Sequence, residues 1–233
     1  MQNSGTIEKN FLISKVPRLM DEKVKVISEA TLRRLPRYHH MLQKYLTKGL
    51  DTVSCSQIAE ELRYDPTQIR KDLAVTGIKG RPKVGYDLTE LIKSIEEFLG
   101  WTQARKAVLV GTGHLGSALL GYSRFHHYGL DIVAAFDKDP ERVGSQVHGR
   151  EVMPITELDV FVKKMLVEVG IITAPAMAAQ GIASLMTRGG IRAIWNFAPV
   201  KINVPDGVIV LNEDLYSSLG VLLQKLNVAA ARK

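Results

Sequence analysis

From Ala30 onward, apolar residues fall at three- and four-residue steps. Leu32, Leu35, Tyr38, Met41, Leu42 and Tyr45 form one stripe with the period of an amphipathic helix. Pro36 stands inside this pattern and marks either the first turn or a kink. Gly49 occupies a C-cap position. A shorter apolar face, Ile58, Ala59 and Leu62, follows Ser54 or Ser56 as N-cap. Next comes YDPTQIRKDLAVTG, Tyr64 to Gly77. Asp65 suits the cap, Pro66 the first helical position, and Gln68 falls three residues after the cap, as in a capping box. Ile69 and Leu73, four apart, face inward, and Gly77 ends the helix. In IKGRPKVGYDL, Gly80, Pro82 and Gly85 punctuate short extended pieces, the pattern of a small β hairpin. Leu88 to Gly100 is an amphipathic connecting helix. Three helices with a short second one, then a hairpin, predict a winged helix-turn-helix.

Beyond residue 101 the pattern alternates strand and helix. KAVLV is a short buried strand, HLGSALLGYSRF a helix, and DIVAAF a strand ending at Asp137. VEVGIITA gives another strand and AMAAQGIASLMTRGG a helix. IRAIWNF and GVIVL are strands, and NEDLYSSLGVLLQKLNVAA closes the chain as an amphipathic helix. This alternation predicts a mainly parallel sheet covered by helices on both faces, a Rossmann-like α/β fold. The expected division is a tail at 1–30, flexible or partly helical, a winged-helix domain at 31–100, a dinucleotide-binding domain at 101–211 and a terminal helix at 212–233.

Composition sharpens this picture. The 233 residues are 45% hydrophobic, enough for buried cores, yet carry no apolar run long enough to span a membrane. The N-terminus lacks the long apolar stretch of a signal peptide. A single cysteine, Cys55, excludes an internal disulfide framework, fits a reducing cytoplasm and reads as a structural thiol. The net charge is +7, and between Thr31 and Tyr86 there are 11 Lys and Arg against 5 Asp and Glu. Nearly all the excess therefore lies in the first half, the part expected to meet a polyanion.

The helix opened by Asp65-Pro66 carries the chemistry to read double-stranded DNA. A helix in the major groove needs polar side chains near its N-terminal end and an apolar back. Thr67, Gln68, Arg70 and Lys71 supply the first, Ile69 and Leu73 the second. Arginine can fork onto guanine and glutamine can pair with adenine, while Lys71 suits phosphate. Lys79, Arg81 and Lys83 make the hairpin basic, as a wing lying along the backbone or minor groove would be. The bland alternative is an ordinary charged surface helix, for which Asp72 speaks.

Gly111, Gly113 and Gly116 give G-x-G-x-x-G directly after an apolar strand and at the start of a helix. The first glycine permits the tight turn, the second lets a pyrophosphate approach the backbone, and the third lets helix pack on strand. The helix N-terminus offers its amides and a partial positive charge. Asp137 follows the last glycine at the spacing of the ribose-binding acid. Its carboxylate favours NAD over NADP, and Lys138 beside it works in the other direction. Thr112, His114 and Leu115 complete the loop.

A nicotinamide enzyme also needs a substrate pocket and an acid–base group. After IWNFAPV only one strand and one helix remain. His114 lines the phosphate loop, and His126 and His127 fall at the far end of a helix. No His/Cys cluster has metal-ligand spacing, His39-His40 being isolated. The reading is therefore a non-enzymatic nucleotide-binding protein without a metal. Two alternatives are a small NAD-dependent reductase with an accessory domain and a sensor of coenzyme A or another adenine nucleotide.

Together these motifs resemble the Rex family of redox-sensing transcriptional repressors, from about Leu32 to Leu226. QIRKDLAVTG resembles the family's recognition helix and VGYDLTEL, with Tyr86, the exit from its wing. GTGHLGSALLGY resembles its phosphate loop, AFDKDPERVG its ribose-binding turn, and NFAPV with VPDGVIVLNEDL its closing section. The resemblance implies a homodimer that binds operator DNA with NAD⁺ or without NADH and lets go when NADH binds. It implies a terminal helix exchanged between subunits and packed between the partner's two domains. It also implies Ala118 and Tyr122 near the nicotinamide, with Thr173, Ala174 and Pro175 beside it. Asn196, Phe197 and Pro199 would form the pocket floor, and Asp214 and Leu215 would reach in from the other subunit. From the residues alone, Tyr122 reads as a helix-surface aromatic, Asn196-Phe197 as a strand end and Asp214 as an N-cap. The chain departs from the family where the wing reads RPKVGY, with Lys83 in place of a glycine. It also has His40 where the family often has an arginine in the first helix.

Overall fold

In the computed structural model, residues 27–230 are described; of the tail expected at 1–30, residues 1–26 lie outside them. The chain divides into two compact units, meeting in sequence at Thr102 and Gln103.

In the first unit, α1 runs Glu29–Thr47 from Ser28, whose side chain caps the Thr31 amide. Pro36 therefore sits in the helix interior and not in its first turn, because the start is set by Ser28 more than a turn upstream. Helix α2 (Cys55–Leu62) opens with a reciprocal capping box between Ser54 and Gln57. It ends at Arg63 in the left-handed region, which turns the chain into α3 (Pro66–Ala74). Asp65 accepts from the amides of Thr67 and Gln68, but the Gln68 side chain does not return the bond and the box is left half-made. Leu35, Tyr38, Leu42, Ile58, Ile69 and Leu73 close the core with α4 (Leu88–Phe98), each fully shielded from water. The expected hairpin is smaller than its pattern suggests. Arg81 and Gly85 form a single bridge, while β2 (Tyr86–Asp87) pairs antiparallel with β1 (Thr52–Val53). The tip turns through Lys83 at φ +63°, a conformation that favours glycine. A lysine here bears that backbone strain and adds a cation.

The second unit is a seven-stranded sheet. Its strands are β3 (Arg105–Val110), β4 (Leu130–Asp137), β5 (Gln146–Val147), β6 (Arg150–Pro154), β7 (Val169–Ile172), β8 (Ala193–Asn196) and β9 (Ile209–Asn212). The order is 5-6-4-3-7-8-9, with every pairing parallel except that of β5 with β6. From β3 the chain crosses first to β4 on one side and later to β7 on the other. The crevice at the carboxyl ends of β3 and β7 is thus a topological switch point. Helix α5 (His114–Leu120) follows β3 and is shorter than its pattern predicts. It stops at Gly121, over which the His148 ring lies, and a 3₁₀ turn at Ser123–Tyr128 takes its place. Helices α6 (Leu158–Met165) and α7 (Ala176–Gly189) cover the other face. Helix α8 (Leu215–Ala230) carries Tyr216, Leu219, Leu222, Leu223 and Leu226 exposed. Among the described residues no helix is long and apolar enough to cross a membrane.

Two glycines of α7 separate close packing from helix propensity. A Cβ on Gly189 would stand 2.8 Å from Val162 Cβ and 2.9 Å from the Asp159 carbonyl oxygen, whereas one on Gly181 would meet nothing within 4 Å. Alanine in place of glycine gains about 1 kcal/mol inside a helix, and overpacking costs about 1–3 kcal/mol. Gly181→Ala is therefore expected to raise the melting temperature and Gly189→Ala to lower it in the same thermal-unfolding assay.

Candidate functional site

The expected DNA face is assembled in the first unit from α3, the start of α2 and the wing. Thr67, Arg70 and Lys71 project into water from α3, as do Lys79, Arg81 and Lys83 from the wing. A groove of about 640 Å³ brings Arg70 together with Lys79, Arg81 and Lys83, beside Ser54 and Ser56. Two expected residues sit differently. Tyr86 is only 8% exposed, because its ring packs beneath Gly80, where an added Cβ would stand 3.1 Å from it. It supports the wing from below. Gln68 is half-buried and donates to Asp72 Oδ1 at 2.9 Å.

Asp72, which the sequence suggests is an ordinary surface charge, is 1% exposed. Arg34 grips it in two places, Nε to Oδ2 at 2.6 Å and an Nη to Oδ1 at 2.8 Å. The Tyr38 hydroxyl donates at 2.7 Å and that of Thr31 at 3.1 Å. Burial pushes the Asp72 pKa up, but the bonds from Arg34, Tyr38 and Gln68 outweigh it and the net shift is downward. The Arg34 guanidinium is held charged by the same bond, and burial followed by Asp72 pushes the Tyr38 phenol up. This network fixes the roll of α3 against α1, which decides where Arg70 and Lys71 point.

In the second unit, the glycine loop lies at the switch point. Gly111 has φ +103°, and a Cβ there would press on the Thr173–Ala174 backbone at 2.9 Å. One on Gly116 would strike the Gly111 carbonyl oxygen, the close contact expected of the third glycine. A Cβ on Gly113 would meet only Arg142 Nη1, at 3.7 Å. The backbone at Gly113 is thus open to a cleft of about 410 Å³, also bordered by Asp137, Lys138, Thr173, Ala174 and Pro175. That is the cradle a pyrophosphate needs, and neither α5 after Gly113 nor α7 after Pro175 has a side-chain cap at its N-terminus. Thr173 Oγ1 donates to the Gly111 carbonyl at 2.6 Å and steadies the loop.

Asp137 is buried at the end of β4. Its Oδ2 accepts from the Thr112 amide and hydroxyl at 2.7 and 2.8 Å, and its Oδ1 from the amides of Lys138 and Asp139 at 2.8 and 3.1 Å. Burial raises its pKa, but Thr112 and the two amides outweigh this and hold it below the usual carboxylate range. Asp139 and Arg142, which motif reading passed over, also border the cleft. The signal was present in DPERVG, where Asp139 and Arg142 stand three apart.

Other expected residues are not gathered into this cleft. His114, Leu115 and Ala118 lie exposed on α5. Tyr122, 47% exposed, meets Phe125 edge-on at 4.9 Å and lines a second cavity of about 360 Å³ with His126 and His148. Phe125, Trp195 and Phe197 continue the aromatic series. Asn196 is fully buried. Its amide donates to the Val200 carbonyl and Asn212 Oδ1 and accepts from the Ala198 amide, bracing β8 against β9. Pro199 and Asp214 border a further pocket, and Asp214 caps α8 through the Tyr216 and Ser217 amides. The side chain of Leu215 lies outside the described part. Among the described residues no group of three or more His, Cys, Asp and Glu is placed to hold a metal ion.

A winged helix-turn-helix unit and a Rossmann unit with an open glycine cradle define a ligand-responsive DNA-binding regulator. The chain belongs to the Rex family of redox-sensing transcriptional repressors. It is 47% identical over 204 residues to the redox-sensing transcriptional repressor Rex of Treponema denticola, covering 86% of this chain and 97% of that one. To the Rex of Bacteroides thetaiotaomicron it is 45% identical, covering 86% and 91%. The "CoA binding domain" family matches residues 102–200 and "Putative DNA-binding protein N-terminus" residues 26–74. The crystal structure of RSP in complex with β-NAD⁺ and operator DNA superposes with a TM-score of 0.84 at 33% identity, covering 89% of this chain and 95% of that chain. RSP, a Rex-family repressor, is also known in complex with β-NADH, with a TM-score of 0.80. Its relatives are named transcriptional repressors, and the protein is a repressor and not an enzyme, despite its Rossmann-like fold.

The Asp72 network carries a pH signature. A carboxylate whose folded pKa is depressed stabilises the fold above its unfolded value of about 3.9 and loses that contribution as pH falls through the folded value. Asp72→Asn leaves Arg34 unpaired and is expected to cost about 3–5 kcal/mol at neutral pH. Denaturant unfolding of both full-length chains should show the difference at pH 7 and a converging pair of curves below about pH 4.

Proposed function

We propose that this repressor binds operator DNA through α3 and the wing and releases it when NADH occupies the cleft at the β3–β7 switch point. Residues 31–100 read DNA, 101–211 hold the dinucleotide, and 212–233 join two copies. The observation that carries the reading is the open backbone at Gly113, on the same chain as a groove lined by four cations. The dinucleotide, once bound, presents a nicotinamide whose charge differs between its two oxidation states. Gly111 to Gly116 and the α5 amides hold the pyrophosphate, and Asp137 and Lys138 face the adenosine ribose. Thr173 to Pro175 border the nicotinamide half. Working on DNA, the protein is placed in the cytoplasm.

The second copy is supported by what α8 and the sheet leave uncovered. One face of the sheet is covered by α6 and α7, while among the described residues the other, with Trp195 and Phe197, carries the short α5 and a 3₁₀ turn. Helix α8 exposes seven large apolar side chains, Val221 and Val228 among them, and an exposed patch of that kind marks an interface. Exchange of α8 between two copies covers it and brings the partner's end of the chain near Tyr122. A neutral nicotinamide enters such an apolar, aromatic surround at lower desolvation cost than a cationic one. NADH therefore biases the dimer toward a spacing of recognition helices that no longer matches two half-sites one turn apart.

Two measurements test this reading. Arg70→Ala is expected to lower specific operator affinity by about 1–3 kcal/mol, and Lys71→Ala to weaken all sequences alike and flatten the salt dependence. Unchanged operator binding in both variants would remove α3 as the reader. In the second, operator occupancy is followed by fluorescence anisotropy across an NADH titration, with sedimentation reporting the dimer. Deletion of the residues after Leu211 is expected to abolish both the dimer and NADH-driven release. Tyr122→Ala should blunt release. A truncated chain that stays dimeric and still lets go of DNA would sink the coupling.

A further inference from the structure

Gly111 to Gly116 and the α5 amides give the pyrophosphate backbone donors, and a cationic side chain stands over them as well. Arg142 borders the cleft with its Nη1 3.7 Å from where a Cβ on Gly113 would stand. Gly113 is the glycine whose bare backbone admits the pyrophosphate. The guanidinium therefore overhangs the place where that group's charge comes to lie. Arginine suits this position, because its planar fork meets two phosphate oxygens at once.

The guanidinium already has an anion. Its Nε donates to Asp139 Oδ2 at 3.3 Å, and about two-fifths of each side chain is open to water. A pair so long and so exposed is worth little. A pyrophosphate fixed against a helix N-terminus is the stronger acceptor. Giving up the arginine costs Asp139 little in turn. Its Oδ1 keeps the Glu141 amide at 3.1 Å, and the freed Oδ2 returns to water. The Asp139 carbonyl accepts from the amides of Arg142 and Val143 at 3.0 and 3.1 Å, so the turn that carries both side chains stays closed during the exchange. Arg142 thus chooses between two anions, one built into its own turn and one arriving with the ligand.

We propose that Arg142 clamps the pyrophosphate of the bound dinucleotide after letting go of Asp139. Asp139, by competing for the guanidinium, weakens dinucleotide binding and sets the concentration at which the repressor responds. The inference rests on the dinucleotide reading above and deepens it by naming a side-chain clamp and the internal anion that opposes it. The pyrophosphate is common to NAD⁺ and NADH, so the exchange shifts both affinities together and leaves discrimination to the nicotinamide end.

The test is calorimetric titration of the full chain with NADH and with NAD⁺, repeated for Arg142→Ala, Arg142→Lys, Asp139→Asn and the double variant of Asp139→Asn with Arg142→Ala. Asparagine keeps the oxygen that accepts from Glu141 and removes the charge. Arg142→Ala is expected to weaken both ligands by about tenfold or more, the loss of a charge-assisted contact, and Arg142→Lys to recover part of it. Asp139→Asn is expected to act in the opposite direction, tightening both by about two- to fivefold. That gain is expected to vanish when Arg142 is alanine. Opposite signs from the two members of one ion pair do not come from a loss of fold, which weakens binding in both. Undiminished affinity in Arg142→Ala overturns the proposal, as does an Asp139→Asn chain that binds no more tightly. A gain that persists without Arg142 also overturns it, because it is then simple charge repulsion. In each of these cases NADH binding by the native chain still stands. A native chain that binds neither dinucleotide overturns the underlying reading as well.

Discussion

A carboxylate taken out of water must be given donors on every side or it unfolds what buries it. Both units of this repressor are organised around one such group. Asp72, on the face of α3 turned toward the protein, takes donors from Thr31, Arg34, Tyr38 and Gln68. Asp137, at the end of β4, takes them from Thr112 and the two amides that follow it. In each case the donors come from segments whose relative placement matters to function: α1 against α3, and the glycine loop against the ribose turn. The requirement to satisfy the carboxylate therefore does the positioning. A helix held only by Ile69 and Leu73 could roll without large loss, whereas a bidentate arginine tolerates little rotation.

The cleft owes its location to topology and its openness to the absence of side chains. Crossing from β3 to opposite sides of the sheet splays the connections apart and leaves a crevice. Gly111 and Gly116 then let loop, helix and Thr173 draw together, while Gly113 keeps the floor bare. At the rim, Arg142 and Asp139 pair at 3.3 Å with about two-fifths of each side chain open to water, a weak pair that suits a site taking up and giving back a charged ligand.

Much of this was legible in the sequence because it is local. The caps at Ser54 and Asp65, the spacing of the three glycines and the acid at Asp137 each lie within one motif, and the structure has them where the spacing indicates. What escaped was set by distant partners or by short segments. Asp72 looks like a surface charge because Arg34 and Tyr38 lie on another helix far upstream. Tyr86 looks available to DNA because nothing nearby reveals that Gly80 seats its ring. The strands Gln146–Val147 and Arg150–Pro154 and the helix Leu158–Met165 are too brief, and the second strand too charged, to announce a period. Helix α5 was overestimated because its apolar spacing runs on past Gly121, where the His148 ring closes over the backbone.

The uncovered apolar side of α8 has a meaning in genetics. Under the proposed exchange of α8, the helix is completed only by a second chain, the working unit is the pair, and its behaviour belongs to neither gene copy alone. A chain with a damaged α3 and an intact α8 would still recruit normal partners. With two alleles expressed equally, most pairs would contain at least one defective reader, and operator occupancy would fall below that of a strain simply lacking one copy. A lesion in α8 itself would withdraw the damaged chain from partnership and behave as recessive. The position of a mutation along the chain thus decides whether it is dominant.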